Sequence, residues 1–293
     1  MSCKDCFRGT IHAGPLSGSV QTLHNLPTYI SNAPATTTPK GIIVIIPDVF
    51  GWEMPNARLV ADQYASAGYK VLLPDFMDGG AIAAPIMDTM ETALDSTNGI
   101  LTRAPAFLSL AMAAVPFLIY NRAAVASPKI YDYFRAVREE NKDMKVAAAG
   151  FCWGGKYTTL LCSGQEKTAD GRPLVDCGYT AHPSSLVLPT DIELVTLPLS
   201  IANGTEDIQL TKEKMEQMRP ILERKSKEGV DCELVIYEEA KHGFAIRAKK
   251  DDEREERQMV EAIEQAVRFF DKHTEGEKHG DGGRGSSHER LAQ

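Results

Sequence analysis

The segment MKVAAAGFCWGG, residues 144–155, constrains this chain more than any other. An apolar run of strand character enters Gly150-Phe151-Cys152-Trp153-Gly154-Gly155, and a helical stretch leaves it. A strand that turns sharply into a helix forces the apical residue into a strained backbone conformation. The flanking positions must be small, because neighbouring backbone passes too close for a Cβ. Such a turn lifts the Cys152 sulfur above the end of a sheet, at a helix N-terminus. There the helix dipole and free N–H groups favour a thiolate and a developing oxyanion. A thiol is also a strong nucleophile, a few per cent ionised near neutral pH without assistance. The bland alternative is a buried cysteine in a glycine-rich turn; the order strand, turn, helix favours the nucleophile.

The rest of the chain supplies a sheet for that turn. GIIVII (41–46) is a continuous apolar, β-branched run, suited to a strand buried on both faces. A helix over Pro55–Ala67 follows, with proline in its first turn, and KVLLPD (70–75) is a second buried strand. Further strands are expected at 177–181, 197–202 and 232–237, and helices at 211–228 and 253–272. This alternation predicts an α/β chain with a mostly parallel central sheet and helices on both faces. Residues 1–40 form an entry segment, and 25–272 one α/β domain. Within that domain, 76–126 make a helical excursion over the sheet edge, a possible lid punctuated by prolines. Ser127-Pro128 opens the next helix, to about Asn141. The tail 273–293, rich in Gly, Ser, His and charge, is expected to be disordered.

With a nucleophile on such a turn, the acid and then the base should follow in chain order. LPLSIA (197–202) runs into Asn203-Gly204-Thr205-Glu206-Asp207, which puts Asp207 just past a strand end, with Glu206 as its rival. CELVIY (232–237) runs into a loop carrying His242. His182 is the other credible base, but it precedes Pro183, and packing or a loop hydrogen bond is the simpler role for it. His242 would take the thiol proton, Asp207 would orient the imidazole, and Cys152 would attack an ester or lactone carbonyl to give a thioester. The backbone N–H of Trp153 and one near Val49 would hold the oxyanion, each worth about 3 kcal/mol in the transition state.

These motifs resemble the dienelactone hydrolases, an α/β-hydrolase-fold family that opens an unsaturated cyclic enol ester with Cys, His and Asp. The pieces are GxCxGG at 150–155, the acid after Asn203-Gly204, His242-Gly243-Phe244, and Pro47-Asp48-Val49-Phe50-Gly51 after the first core strand. The spacing around His242 resembles a fungal-type branch. The resemblance implies that an acidic residue, here Asp48, contacts the resting thiol; Asp is one methylene shorter than the usual Glu, and a turn-capping carboxylate explains it equally. It also implies that Arg247 grips a substrate carboxylate, as a bidentate guanidinium suits, although a solvated arginine before Lys249-Lys250 remains open. The family's second arginine finds only Arg103 as a weak match, within the excursion. Phe50 and Trp52 line the pocket or fill the core.

A formal net charge of −8 and a pI near 5.5 argue against nucleic acid and anionic membrane as partners. The start MSCKDCFRGT lacks the apolar core of a secretion signal. The longest apolar stretch, near Phe107 to Ile119, reads as a buried or lid helix too short to span a bilayer, so no membrane is expected. Six cysteines without a secretion signal suit reduced thiols in the cytoplasm. Cys3 and Cys6 have CxxC spacing but no further ligands near them in sequence, while Cys162, Cys177 and Cys232 suit the core. No metal and no cofactor is expected. The partner would be a small ester or lactone, neutral or anionic, handled by a monomer or homodimer. Rival functions are a general carboxylesterase or thioesterase, a lactone-tailoring enzyme of secondary metabolism, and a non-catalytic binding or redox-sensing protein.

Overall fold

The computed structural model describes residues 16–94, 97–249 and 252–274. Its frame is an eight-stranded sheet. The strands are β1 (Ser19–Leu23), β2 (Leu26–Ser31), β3 (Ile42–Ile46), β4 (Lys70–Pro74), β5 (Val146–Phe151), β6 (Cys177–Ala181), β7 (Leu199–Gly204) and β8 (Cys232–Tyr237). They lie in the order β1-β2-β4-β3-β5-β6-β7-β8. The hairpin β1–β2 joins antiparallel to β4, and all the other pairings are parallel. The two-residue hairpin turn holds His24 and Asn25 at φ of 50° and 65°, the left-handed geometry whose twist matches that of the strands.

Every residue of β3 is inaccessible to solvent, as its unbroken apolar run required. The helices are α1 (Pro55–Ser66), α2 (Ile86–Leu94), α3 (Ile100–Tyr120), α4 (Ala123–Glu140), α5 (Trp153–Leu161), α6 (Thr190–Glu193), α7 (Lys212–Lys227) and α8 (Glu253–Thr274). α1 and α8 pack on each other and on the sheet, while α5 packs on β3, β5 and β6 and meets α4 and α6; α7 lies on β8. Parallel strands place all their C-terminal ends along one rim, so the loops after β3, β5, β6, β7 and β8 open side by side.

Several boundaries depart from the sequence reading. α4 begins at Ala123, a turn before Ser127, and takes Pro128 inside it. Pro105 and Pro116 do not divide the excursion but sit within α3, a single helix of 21 residues. Nor is that helix buried: only 22% of its most apolar 18-residue window is covered, and its length and composition are those of a spanning segment. The sequence reading gives the apolar stretch as Phe107 to Ile119, whereas the helix extends it to Ile100–Tyr120. α8 runs to Thr274, and His273 belongs to it, its Nε2 2.8 Å from Asp231. Cys3, Cys6 and residues 275–293 lie outside the described residues.

Candidate active site

The turn between β5 and α5 has the strain its sequence implied. Cys152 sits at φ 50° and ψ −111°, immediately before α5, and is 1% exposed. A Cβ on Gly154 would lie 2.0 Å from the Ile46 carbonyl oxygen and 2.8 Å from that of Pro47. One on Gly150 would lie 2.2 Å from Thr158 Oγ1. Glycine is required at both places by close approach, and the contact with Ile46 and Pro47 sets the loop carrying Val49 directly against the turn. The Trp153 indole N–H donates to the Asn121 carbonyl (3.3 Å), and its ring meets Phe117 edge-on at 6.1 Å. The residue after Cys152 is thereby tied to α3.

Asp207 follows β7 and His242 follows β8. Their side chains are fully buried and meet with Nδ1 2.8 Å from Oδ2. The other carboxylate oxygen of Asp207 accepts the N–H groups of Gln209 (2.7 Å) and Leu210 (3.1 Å). Asn203 clamps the same loop, donating to the Leu210 carbonyl at 2.9 Å. Burial would raise the Asp207 carboxyl, but the facing imidazole and these hydrogen bonds outweigh it and hold the group below the usual range. Burial would likewise lower His242; the charges of Asp207 and Cys152 outweigh it and carry the imidazole well above its ordinary value. The rival Glu206 is half-exposed and faces Lys241 instead.

His182 immediately follows β6. It is fully buried at φ 41°, and its ring stands edge-to-face on His242 with centroids 4.9 Å apart. Phe151 and Phe244 complete its surroundings. Burial, then the neighbouring His242, pushes its pKa well below the ordinary value, so it stays neutral. Packing is therefore its observed role.

Asp48 and Arg247 meet as a buried ion pair, and the guanidinium lies over the Phe50 ring at 5.0 Å. Asp48 Oδ1 also accepts the Phe50 N–H at 2.9 Å, the turn-capping contact. Asn56 of α1 donates to the Ile246 carbonyl at 2.8 Å. Residues 242–248 therefore form a strap. It starts beyond β8, passes the His242–Asp207 contact and is fastened at the β3 end of the rim by Asp48 and Asn56. Gly243, at φ 94°, has its Cβ position 2.5 Å from Arg247 Nη2, so the strap needs glycine there. Trp52 packs in the core under Arg58, with the guanidinium 4.8 Å from its ring. Arg103 is not brought to the rim; it bonds to the Ala93 carbonyl at 3.0 Å.

Three contributors had gone unnoticed in the sequence. Ser184 places Oγ 3.8 Å from Cys152 Sγ and donates its N–H to the Cys152 carbonyl at 2.9 Å. Asn121 and Asn56 act through the contacts just described. Only the neighbourhood of Ser184 to His182-Pro183 hinted at any of them. Cys162, Cys177 and Cys232 are free; burial pushes the first two thiols far up and Cys232 to about 11. Among the described residues no cluster of His, Cys, Asp or Glu has the makings of a metal site.

The model of the dienelactone hydrolase family matches residues 26–274. The chain belongs to the dienelactone hydrolase family. Family membership makes it a hydrolase of ester or lactone bonds. Among its relatives is the hydrolase pyvD of Aspergillus violaceofuscus, 25% identical over 92% of this chain and 95% of that protein. A second is the hydrolase tropI of Talaromyces stipitatus, 27% identical over the same shares. A solved structure named "Putative Dienelactone Hydrolase from Klebsiella pneumoniae" shares the fold with a TM-score of 0.58 at 16% identity. The match covers 86% of this chain and 98% of that one.

Proposed function

We propose that this member of the family cleaves a small carboxylic ester or lactone through a thioester on Cys152, with His242 as base and Asp207 as the group that orients it. What carries the reading is the buried contact of His242 Nδ1 with the Asp207 carboxylate, 2.8 Å, at the sheet rim where buried Cys152 caps α5. The thiol proton passes to His242 Nε2 as sulfur attacks the carbonyl. The C–O bond then breaks, and the leaving oxygen takes that proton from the imidazolium. In a lactone the freed hydroxyl stays tethered to the acyl group. Water next gives a proton to His242 and its oxygen to the acyl carbon; thiol and acid are released, and one water is consumed. The N–H groups of Trp153 and Val49 flank the tetrahedral oxygen in this scheme, consistent with the packing of the 47–51 loop on the turn. Phe50 and Trp52, both within the core, would act on the substrate through the shape of that loop.

The Asp48–Arg247 pair favours a neutral ester or lactone over a dianionic one, because a substrate carboxylate would have to compete with Asp48 for the guanidinium. Free thiols at Cys152, Cys162, Cys177 and Cys232 suit a reducing compartment such as the cytoplasm. The test is rapid acid quenching during turnover of an aryl ester, followed by intact mass spectrometry. The wild type should carry one acyl group on the peptide containing Cys152, and Cys152→Ala should carry none and lose turnover by a factor of roughly 10⁴ or more. Acylation elsewhere, or turnover surviving in Cys152→Ala, would overturn the nucleophile.

A further inference from the structure

The least explained surface of the molecule is α3. Its packed side is a single stripe of Ala106, Leu110, Ala114 and Phe117. Opposite stand Leu101, 89% exposed, Leu108, 61%, Met112, 62%, and Ile119, 53%. From Ala104 to Asn121 the sequence carries no charge. Arg103 projects on the packed side, bonded to Ala93, and Arg122 follows the helix end.

The width of this surface identifies what it fits. At 3.6 residues per turn, the exposed uncharged arc from Phe107 round to Tyr120 spans roughly 220° of the helix. A helix packed on one protein neighbour presents a stripe of roughly 100°. A fluid apolar phase covers the wider arc without steric matching. The chain itself offers little to cover it: residues 1–15 contain few large apolar side chains, and residues 275–293 are almost wholly polar. The packed stripe keeps the helix on the protein body, so it lies along a bilayer and does not cross one. The formal charge of −8 sets the lipid class, since anionic headgroups would repel the protein.

We infer that α3 is an interfacial docking helix that seats the protein on an uncharged, zwitterionic phospholipid surface through Leu101, Leu108, Met112, Val115 and Ile119. The charge reading that argued against membranes applies to anionic ones and leaves this surface open. Through Phe117 and Asn121, docking sets the Trp153 end of the rim beside the bilayer. The inference does not depend on which residue is the nucleophile.

Flotation of the full chain with phosphatidylcholine vesicles tests it. The wild type should rise with the vesicles. Leu108→Glu and Met112→Glu should each cut the bound fraction at least tenfold while keeping the wild-type melting temperature and turnover of a water-soluble ester. Val187→Glu, at an exposed apolar site after β6, should leave binding unchanged. Hydrogen exchange on the wild type needs no variant: vesicles should slow exchange in peptides from 100–120 and not elsewhere. Wild type left unbound, binding indifferent to both glutamates, or no added protection in α3 would each overturn the proposal. So would light scattering that shows a dimer broken by Leu108→Glu together with no vesicle binding, which would assign the surface to a second copy of the chain.

Discussion

Two helices meet at Trp153, and they obey different rules: α5 begins with it, and α3 touches its ring through Phe117. α5 is nine residues long, and seven of them are buried. α3 is 21 residues long, and four are buried. α5 is fixed by steric demand: glycine at 150, 154 and 155, each with neighbouring atoms where a Cβ would go. α3 is held by one apolar stripe and leaves the rest of its surface to solvent. At the same sheet rim, one region tolerates almost no change of shape, and the other is defined by what it exposes. Substitutions in the turn and α5 should therefore act on chemistry and fold, and substitutions on the outer face of α3 on neither.

The largest effect expected in the rigid region is chemical. Under the proposed mechanism, Asp207→Asn keeps the size of the side chain but removes the charge that would orient the His242 imidazole and stabilise its cation. kcat for an aryl ester should fall by roughly 10²–10⁴ with KM little altered, as steady-state kinetics would show. A loss below tenfold would mean that another carboxylate supports the imidazole.

Next comes stability. Gly154→Ala sets a Cβ 2.0 Å from the Ile46 carbonyl oxygen, a backbone atom that cannot turn aside. The substitution should cost on the order of 3 kcal/mol, read as a fall in the urea midpoint. An alanine accepted at no cost would show that the turn is looser than its geometry states.

This contrast also explains what was legible in the sequence. The glycine-tight turn at Cys152 and the parallel strands could be read because each is a local pattern that the chain cannot realise in many ways. β3 could be read from five consecutive apolar residues. The strap 242–248 could not, because its far anchor couples Arg247 to Asp48 across nearly 200 positions, and no periodicity records such a pairing. The resemblance assigned Arg247 to a substrate carboxylate; in the fold its carboxylate partner is Asp48. The extent of α3 was missed for the opposite reason. Pro105 and Pro116 are strong local signals for an end, yet a helix facing away from the core accommodates the missing N–H donors along its length. Ser127-Pro128 misled in the same way, since α4 had already begun at Ala123.

A subtler effect distinguishes two imidazoles within the rigid region. His242 has a raised pKa in the fold, so its contribution to stability is fully present below about 6.5 and lost as pH rises through the folded value. His182 has the opposite sign. Its folded pKa is depressed, so the unfolded chain binds a proton that the native protein refuses, and stability falls as pH drops below about 6.5. His182→Phe retains a ring against Phe151 and Phe244 while deleting that titration. Between pH 8 and pH 5 the variant should gain on the wild type by about 1.4 kcal/mol per pH unit below 6.5, until the folded pKa is reached. Denaturant midpoints at the two pH values measure it. A gap independent of pH would mean that His182 takes up its proton inside the fold.

The smallest expected effect lies on α3 and gives the comparison its sharpest form, because two residues two positions apart should behave as though they belonged to different proteins. Leu110 is 6% exposed and Met112 is 62% exposed. Leu110→Ala removes atoms from the packed stripe and should cost roughly 2–5 kcal/mol. Met112→Gln keeps the length and helix preference of the side chain while exchanging an apolar end for a polar one, on a face with no protein beneath it. Its effect on stability in buffer should stay within about 0.5 kcal/mol. If Met112→Gln costs as much as Leu110→Ala, the outer face of α3 packs on protein in solution, and the helix belongs with α5 as part of the rigid frame.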